Sequence, residues 1–405
     1  MNSDSLTPKN RVERILFLAL ALFALALPFS IAIATSFLVP FLVLGIMFLL
    51  RESPRAWSQF TSPEKGLLMY LGWAVISALF SDHILANLFD LKGRYQILLF
   101  FLIPRVITTE DRIRRVLDIF IAGAAISGLV GVYQFFFTHV LSVGRPAGTR
   151  SNPLTYSEGL LLALAVSLPL LSKPFSSKSV WRSLTIGALV SGIVVSLCRG
   201  PWVALSLMVA TFEWMKRRFI WITLSLLFIL SIASMMSHSS YLSGRFSSII
   251  SMTNNSNCER IRIWKVGIGM ARQRPIFGHG SKFLLERFRS AQEGIGLEGR
   301  AYGEMHNIFL QSLVSFGFPG LCLFVGMFWR IGNFFFQFSK DPLGLGAFLA
   351  VVAFLFSGLT ESVFNDSEIT MTLFLILGCA SAKWSILNRQ THPLGQSSRI
   401  GDRLL

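Results

Sequence analysis

Residues 15–50 read ILFLALALFALALPFSIAIATSFLVPFLVLGIMFLL, a stretch that contains no charged side chain. Because about 20 apolar residues in a helix cross the hydrocarbon core of a bilayer, this stretch is long enough for two crossings. In the whole chain 53% of the residues are hydrophobic, 14% are charged, and the mean hydropathy is +0.59. Soluble domains carry about 25% charged residues. The composition therefore predicts an all-α polytopic membrane protein.

The chain is strongly basic, with 37 lysines and arginines, 21 acidic residues and a formal net charge of +16. The basic residues lie in patches between apolar segments. This pattern is typical of cytoplasmic loops and of contacts with anionic lipids, and does not indicate nucleic-acid binding. Lys9, Arg11 and Arg14 precede the first apolar run, which has no small-residue cleavage site. We therefore expect a retained first span, not a cleaved signal peptide.

No motif in the sequence indicates a metal or a cofactor. The four cysteines are widely spaced, without a CxxC pair, and so predict neither a disulfide framework nor a metal site. Phosphate-binding loops, dinucleotide fingerprints, HExxH motifs and the DxD pair of metal-bound nucleotide-sugars are also absent from the sequence. The sequence therefore predicts no metal and no cofactor.

The apolar segments predict about twelve membrane-spanning helices, with both termini in the cytoplasm. They lie near residues 15–29, 31–50, 66–80, 90–106, 116–137, 156–172, 182–198, 201–215, 219–237, 305–330, 343–360 and 369–387. This topology places 22 of the 37 basic residues in the cytoplasm, mostly in short loops, where the positive-inside rule applies. The predicted units are transmembrane helices 1–9 (1–237), a loop on the outer side that caps the bundle (238–304), transmembrane helices 10–12 (305–390) and a cytoplasmic tail (391–405).

Residues 182–215 decide the topology of the second half of the chain. They can form one long helix, or a hairpin of two spans that meet near Gly200-Pro201. Proline disfavours a continuous helix at this point. One long helix would also export the basic residues 216–218 and leave the long loop in the cytoplasm. We prefer the hairpin, which places the long loop on the outer side of the membrane.

The first segment with candidate chemistry is SLCRGPWVAL, residues 196–205, at the tip of this hairpin. The two arms are short for two full crossings, so we expect Arg199 at or below the outer interface of the membrane. A guanidinium there is costly unless it meets protein, water or an anion. Arg199 either reaches lipid phosphates or lines a cavity and binds a phosphate-bearing ligand with its two-pronged fork.

The second segment is the long loop, which has ten basic residues and five glutamates between residues 238 and 304. It contains CERIRIWKVGIGMARQRPIFGHG, residues 258–280, which begins with a helical pattern of apolar residues, and the short amphipathic piece SKFLLERFRS. Two alternatives remain open. The pieces are amphipathic helices that lie on lipid headgroups, or they form a basic cover over a membrane cavity that receives a diphosphate.

The third segment is GEMHNIFLQSLVSFGFPG, residues 303–320, where polar groups open an apolar helix. We expect Glu304 and His306 in its first turn, where the positive end of the helix dipole favours a neutral imidazole. Such an imidazole can act as a general base, although a histidine there can also simply cap the helix. Asp82 or Asp90 is the alternative base. Three acidic residues of the last outer loop are interpreted as a solvated turn: Glu361, Asp366 and Glu368.

These three segments together resemble the O-antigen ligase and polymerase superfamily of bacterial cell envelopes. The resemblance lies in SLCRGPWVAL, in R-I-R-I-W…RPIFGHG within one long outer loop, and in HNIFLQSLVSFGFPG. It implies a multi-pass glycosyltransferase of the inner membrane whose active site faces the periplasm and whose donor is a glycan on undecaprenyl diphosphate. A ligase transfers this glycan to the lipid A-core, and a polymerase transfers it to another lipid-linked repeat.

The resemblance also implies three catalytic residues. The arginine of the short turn corresponds to Arg199, the loop arginine before the tryptophan to Arg260, and the histidine of H-N-x-x-L to His306. Arg262 is an alternative match, because ERIRIW is ambiguous in register. Cys198 stands where the family usually has a serine or threonine. Further contacts with the diphosphate or glycan are expected from four basic residues: Arg262, Arg145, Arg150 and Lys265.

The implied reaction is metal-independent, and we expect it to invert the anomeric centre of the donor sugar. Arginines would neutralise the leaving diphosphate while His306 accepts the proton of the attacking hydroxyl. The ligase is favoured over the polymerase because a single outer loop dominates. Arg145 and Arg150, in HVLSVGRPAGTRSNPL, hold donor phosphate or fix a loop turn. A lipid-glycan flippase and a passive envelope scaffold are the alternatives from other classes.

Overall fold

The computed structural model describes residues 8–52, 60–138, 145–170, 177–216, 255–292 and 302–391. Within these ranges the regular structure is helical, without a strand. The helices are α1 (Pro8–Ala26), α2 (Ile31–Glu52), α3 (Ser62–Leu79), α4 (Ile84–Asp90), α5 (Leu98–Val106), α6 (Glu110–Phe137), α7 (Pro153–Leu170), α8 (Ser177–Val195), α9 (Arg199–Lys216), α10 (Asn255–Gln273), α11 (Leu284–Ala291), α12 (Ile308–Gln337), α13 (Pro342–Ser357) and α14 (Ser367–Thr391). A 3-10 helix, Leu91–Ile97, joins α4 to α5.

Several of the described helices are long and apolar enough to cross a bilayer. Five meet this requirement by length and composition: Ile31–Arg51, Glu110–Phe137, Pro153–Leu170, Ile308–Gln337 and Ser367–Gln390. Two shorter helices, Val180–Val195 and Pro342–Ser357, are also apolar. The described part of the chain is therefore all-helical, and its apolar helices indicate a multi-pass membrane protein, as predicted from the composition. The predicted number of twelve spans stays a prediction, and the ninth of them, 219–237, lies outside the described residues.

The fourth predicted span, residues 90–106, is helical throughout but contains a 3-10 segment, Leu91–Ile97, and its crossing of the membrane stays a prediction. α4 ends at Asp90, and α5 begins only at Leu98. In the 3-10 helix between them, the guanidinium of Arg94 donates to the carbonyl of Phe364, with an N–O distance of 2.5 Å. A charged side chain within a membrane bundle needs a partner in the protein, and the irregular segment brings Arg94 to one.

The helices approach closely where glycine removes a side chain. A Cβ atom placed on Gly128 of α6 would lie 2.6 Å from the Ala188 carbonyl oxygen of α8. One placed on Gly346 of α13 would lie 2.9 Å from the Val166 Cα of α7. Small residues permit such contacts between membrane helices, whose association depends on close packing. With α3 against α12 and α5 against α14, these contacts build one bundle around a core of leucine and phenylalanine side chains.

One end of this bundle collects basic residues that the topology prediction places in the cytoplasm. Arg105 pairs there with Glu64, and Arg330 Nη1 donates to Ser62 Oγ at 3.2 Å. Three tryptophans near the same end are exposed, as in the aromatic belts of membrane proteins: Trp181, Trp214 and Trp329. We call this end the basic end and the opposite one the outer end. The compartment that each end faces stays a prediction.

Residues 177–216 form two helices, so the single long helix considered above is wrong. α8 ends at Val195 and α9 begins at Arg199. The break lies just before the arginine, at Leu197 with a φ of 56°, and not at Pro201 itself. Pro201 lies in the first turn of α9, where its missing N–H is tolerated. The break places Arg199 at the start of a helix at the outer end.

The described part of the long loop, residues 255–292, which we call the cap, is fixed to the outer end through a break in α12. Gly317 has a φ of 71°, a left-handed conformation that interrupts α12. Backbone N–H groups then pair with carbonyls across the break: His279 with Val314 at 2.9 Å, and Phe318 with Pro275 at 2.7 Å. A Cβ atom on Gly317 would lie 2.0 Å from the Ile276 carbonyl oxygen. RPIFGHG therefore serves as an anchor of the cap.

Candidate active site

The centre of the candidate site is Glu361, in the loop between α13 and α14. Its side chain is 10% exposed, and its two oxygens hold two different partners. Oε1 accepts a hydrogen bond from Arg260 Nη2 of α10. Oε2 lies 3.0 Å from His306 Nδ1, just before α12. Two of the three predicted catalytic residues thus meet on a carboxylate that the sequence analysis did not assign to the site.

Arg199, the third predicted catalytic residue, begins α9 beside the same loop. A Cβ atom placed on its neighbour Gly200 would lie 3.0 Å from Thr360 Oγ1, and Thr360 directly precedes Glu361. The side chain of Arg199 is partly exposed. The hairpin tip, the cap and the start of α12, which are far apart in sequence, therefore converge at one place.

His306 lies before α12 and not in its first turn, contrary to the prediction. α12 begins at Ile308, and Asn307 is its N-cap, whose side-chain oxygen accepts hydrogen bonds from the amides of Phe309 and Leu310 at 2.9 Å each. Asparagine is a favoured N-cap residue. His306 itself has a φ of 46°, an uncommon left-handed conformation for a non-glycine residue. This turn points the imidazole towards the Glu361 loop.

The backbone beside His306 is held on both sides. The amide of Met305 donates to Gln311 Oε1 at 2.8 Å, and its carbonyl accepts from Trp264 Nε1 at 3.0 Å. On the other side, Asn307 Nδ2 donates to the Leu359 carbonyl at 2.9 Å. Trp264 belongs to the RIRIW motif, so this motif supplies both a guanidinium and a support for the imidazole.

The expectation of a histidine kept neutral by the helix dipole is also wrong. The hydrogen bond to Glu361 raises the pKa of His306, against the opposing effects of burial and of the Arg260 charge. When the imidazole is neutral, Nδ1–H donates to Glu361, so Nε2 carries the lone pair. A carboxylate on one nitrogen fixes the ring and strengthens the other nitrogen as a proton acceptor. The pair is therefore arranged as an oriented general base.

The structure shows which arginine of ERIRIW lies beside Glu361. Arg260 reaches Glu361, whereas Arg262 and Lys265 are exposed on other faces of α10. The face of α10 that carries Ile263 and Val266 is buried within the cap. The structure thus brings Arg260 to the site, and places Arg262 and Lys265 at the surface of the cap.

The two arginines of the 145–150 loop have different surroundings. Arg145 Nη1 lies 3.5 Å from the sulfur of Cys198, next to Arg199, so it borders the site. Arg150 has a side chain only 6% exposed, pairs with Glu368, and donates to the Leu27 carbonyl at 2.5 Å. These contacts favour the alternative in which Arg150 fixes a loop turn.

Asp82, the alternative base, is fully engaged elsewhere. It pairs with Arg287 at 2.5 Å and with Arg274, both in the cap. Hydrogen bonds, chiefly from Arg287, lower the pKa of Asp82 to about 2. So weak a base is poorly suited to accept a proton from a hydroxyl. Asp90, the other alternative, lies 4.0 Å from Lys282 Nζ, also in the cap. Both aspartates therefore hold the cap against the bundle.

The interpretation of the last outer loop as a solvated turn is wrong. Glu361 is buried, and Asp366 accepts a hydrogen bond from Thr155 Oγ1 of α7 at 2.7 Å. Asp366 also accepts from the amide of Glu368 in the first turn of α14. The signal in the sequence was an unusual density of acidic residues between two apolar helices. Among the described residues, no group of three or more histidine, cysteine or acidic side chains is arranged to hold a metal ion.

Comparison with known proteins agrees with the resemblance found in the sequence. Residues 184–325 match a family model described as O-antigen ligase. The matched segment contains α9, the cap and the start of α12, and so includes Arg199, Arg260 and His306. Glu361 lies beyond it. No curated protein sequence matches the chain.

Proposed function

We propose, from the O-antigen ligase domain that the chain carries at residues 184–325, that the protein transfers an O-antigen glycan from undecaprenyl diphosphate to the lipid A-core. This places it in lipopolysaccharide biosynthesis as a glycosyltransferase of the bacterial inner membrane. The observation that carries the proposal is the Glu361 carboxylate, which joins a guanidinium and an imidazole at the outer end. The imidazole and the guanidinium can fill the two chemical roles that the reaction needs, which are proton acceptance and stabilisation of the leaving group.

The first role is to accept a proton. The acceptor hydroxyl attacks the anomeric carbon of the donor sugar and gives its proton to Nε2 of His306, while Glu361 stabilises the imidazolium that forms. The new bond joins the acceptor oxygen to the sugar. The bond between the sugar and the diphosphate breaks, and its electron pair leaves with the diphosphate. Attack from the face opposite the diphosphate inverts the anomeric centre.

The second role is to stabilise the leaving group. Arg199 and Arg260 would hold the diphosphate, since guanidinium forks bind phosphate oxygens through paired, charge-assisted hydrogen bonds. Arg145, beside Cys198, could extend this contact. The donor would compete with Glu361 for Arg260. Donor binding would then leave the carboxylate to His306 alone, at the stage when a base is needed.

The test is reconstitution. The purified full-length protein is incubated with undecaprenyl-diphosphate-linked glycan and with lipid A-core, in the absence of nucleotide. A covalent product on lipid A-core supports the ligase. Growth of the glycan on its lipid carrier identifies a polymerase, and the absence of any new bond supports a flippase or a scaffold. Either of the latter two results overturns the ligase assignment.

The orientation in the membrane has its own test. Gly303 is exposed and is the second residue of the described segment 302–391, near His306. A Gly303→Cys variant, in a background in which the partly exposed Cys258 and the exposed Cys322 are replaced by serine, should react with a membrane-impermeant maleimide added to the periplasm. Labelling only after the inner membrane is opened would place His306 in the cytoplasm and exclude the proposed partners.

A further inference from the structure

The loop that carries Glu361 is held at its two ends by different parts of the chain. At the end nearest α13, the Gly358 carbonyl accepts the amide of Ile308 at 2.8 Å, and the Leu359 carbonyl accepts Asn307 Nδ2 at 2.9 Å. These bonds connect the loop directly to the chain next to His306. They fix the separation between the imidazole and the start of the loop, but leave the residues after Glu361 to other contacts.

The far end of the loop is held by Arg94, from the 3-10 helix. Arg94 Nη1 donates to the Phe364 carbonyl at 2.5 Å, and Nη2 donates to Asn365 Oδ1 at 2.7 Å. The guanidinium also lies 4.8 Å from the centroid of the Phe364 ring, in cation–π geometry. A single side chain thus engages a main-chain carbonyl, a side-chain amide and an aromatic ring of two adjacent residues.

The space between Arg94 and α12 is a small pocket with both aromatic and polar side chains in its lining. Its lining includes Gln311, Ser312, Ser362 and Asn365. Ser362, directly after Glu361, is buried, and its hydroxyl has no hydrogen-bond partner within the described part of the chain. The Ser362 hydroxyl therefore does little to fix the carboxylate. Arg94 restrains this end together with Thr370 Oγ1, which donates to the Phe364 carbonyl at 3.2 Å, and with the aromatic rings around Phe364.

We propose that Arg94 is a positioning residue of the active site, which holds the 361–365 loop so that Glu361 meets Arg260 and His306 together. This inference rests on the proposed function and extends it to a residue outside the matched family segment. It also offers a reason for the 3-10 helix Leu91–Ile97 in the fourth predicted span, because this segment places Arg94 beside the 361–365 loop. Arg94 acts through Glu361, and not on the substrate.

The test is Arg94→Lys in the full-length protein, assayed with undecaprenyl-diphosphate-linked glycan and lipid A-core. Lysine keeps the charge but cannot make the two-pronged contact. We expect kcat to fall about tenfold to a hundredfold, as for a displaced catalytic group, with the KM for the donor nearly unchanged. Asn365→Ala, which removes one acceptor and leaves Arg94 in place, should lower kcat in the same direction and by less.

The pH dependence of kcat distinguishes a positioning role of Arg94 from a role in folding alone. The charged and titratable groups around His306 are Arg260, Glu304 and Glu361, with Tyr302 in ring contact. Because Glu361 raises the pKa of His306, its displacement should lower that pKa, and the acid limb of the kcat profile should move to lower pH in Arg94→Lys. An unchanged limb with a reduced yield of folded protein would overturn the proposal.

A double-mutant comparison sharpens the result. If Arg94 acts through Glu361, Arg94→Lys should lower kcat little further in a Glu361→Gln background, whereas independent effects would multiply. Arg105→Lys is the control at the basic end, because Arg105 is also a largely buried arginine that lies over an aromatic ring, although its partner is a carboxylate. It should keep the wild-type pH profile. Multiplicative effects would overturn the role of Arg94.

The failure of this inference can be told from failure of the proposed function. If His306→Ala and Glu361→Gln abolish or reduce transfer while Arg94→Lys behaves as wild type, only the role of Arg94 is wrong. If the wild-type protein forms no product on lipid A-core, or if His306→Ala is fully active, the proposed function itself is wrong.

Discussion

Two glutamates at opposite ends of the bundle bind arginine in different ways. Glu64, at the basic end, has a side chain 3% exposed, pairs with Arg105, and accepts the amide of Thr61 at 2.7 Å in a capping box at the start of α3. Glu361 is also buried, but its partners Arg260 and His306 are 25% and 32% exposed. The first pair is closed to solvent, and each of its residues also has a hydrogen bond to the main chain of its own helix or cap. The second joins distant segments and is open on the cationic side.

The difference suggests how an ion pair that takes part in a reaction can be distinguished from one that only stabilises the fold. Two opposite charges that are buried together, with all their hydrogen bonds made, cannot exchange partners. Removal of one charge leaves the other buried without compensation. Glu361 differs, because both of its partners reach solvent, where they can meet an incoming anion or hydroxyl. We therefore expect changes at Glu64 to affect folding, and changes at Glu361 to affect turnover.

The largest expected effect comes from His306→Ala. Loss of the general base should reduce glycan transfer on the order of 10²- to 10³-fold, with normal insertion into the membrane. Cells that depend on this variant should make lipopolysaccharide without long side chains, which gel electrophoresis reveals. A wild-type ladder at equal protein level would remove His306 from the mechanism.

Glu361→Gln and Glu64→Gln test the comparison directly. Glu361→Gln should lower kcat about tenfold to a hundredfold, a part of the usual general-base contribution, with little change in thermal unfolding. Glu64→Gln should cost about 3–5 kcal/mol of stability, since it breaks a buried pair, and leave the activity of each folded molecule unchanged. Thermal unfolding in detergent and transfer rates normalised to folded protein measure both. The reversed pattern would refute the distinction.

The pH dependence gives a smaller effect with a definite sign. A general base works only when deprotonated, so activity should rise with pH through the pKa of His306. Glu361 raises that pKa, and Glu361→Gln should move the acid limb of the rate profile to lower pH. Glu64→Gln is the control and should leave the limb in place. A shift to higher pH in Glu361→Gln would show that the carboxylate does not act on the imidazole.

The smallest effects are expected at the surface of the cap. Arg262→Ala and Lys265→Ala should each change the transfer rate by no more than about twofold, as exposed positions usually do. Arg260→Ala should lower the transfer rate by a factor at least ten times larger than either of these two variants does. If Arg262→Ala proves as harmful as Arg260→Ala, the alternative register of ERIRIW is correct for the bound state.

Local patterns in the sequence predicted much of this molecule. Long apolar runs predict helices that the structure contains, and Pro201 indicated the break that separates α8 from α9. The start of α12 was misplaced because His306 was considered without Asn307, a stronger N-cap signal. The 3-10 helix was missed because the need to bring Arg94 to Phe364, 270 residues away, leaves no periodic signal.

The candidate site was harder to predict because its central residue has distant partners. Glu361 lies 101 residues from Arg260 and 55 residues from His306 in the chain. Acidic residues in a short loop usually face water, and local sequence cannot distinguish such a loop from one covered by a distant segment. The choice between Arg260 and Arg262 likewise depended on which face of α10 packs inward, which is a tertiary property.

The glycine break in α12 constrains how a substrate can arrive. If the cap lifted away at this edge, the amides of His279 and Phe318 and the carbonyls opposite them would lose their partners beside a membrane helix, where water is scarce. Each unpaired group would cost several kcal/mol. The cap is therefore expected to stay attached to α12 along residues 275–279, and a substrate would have to reach the site without separating the two.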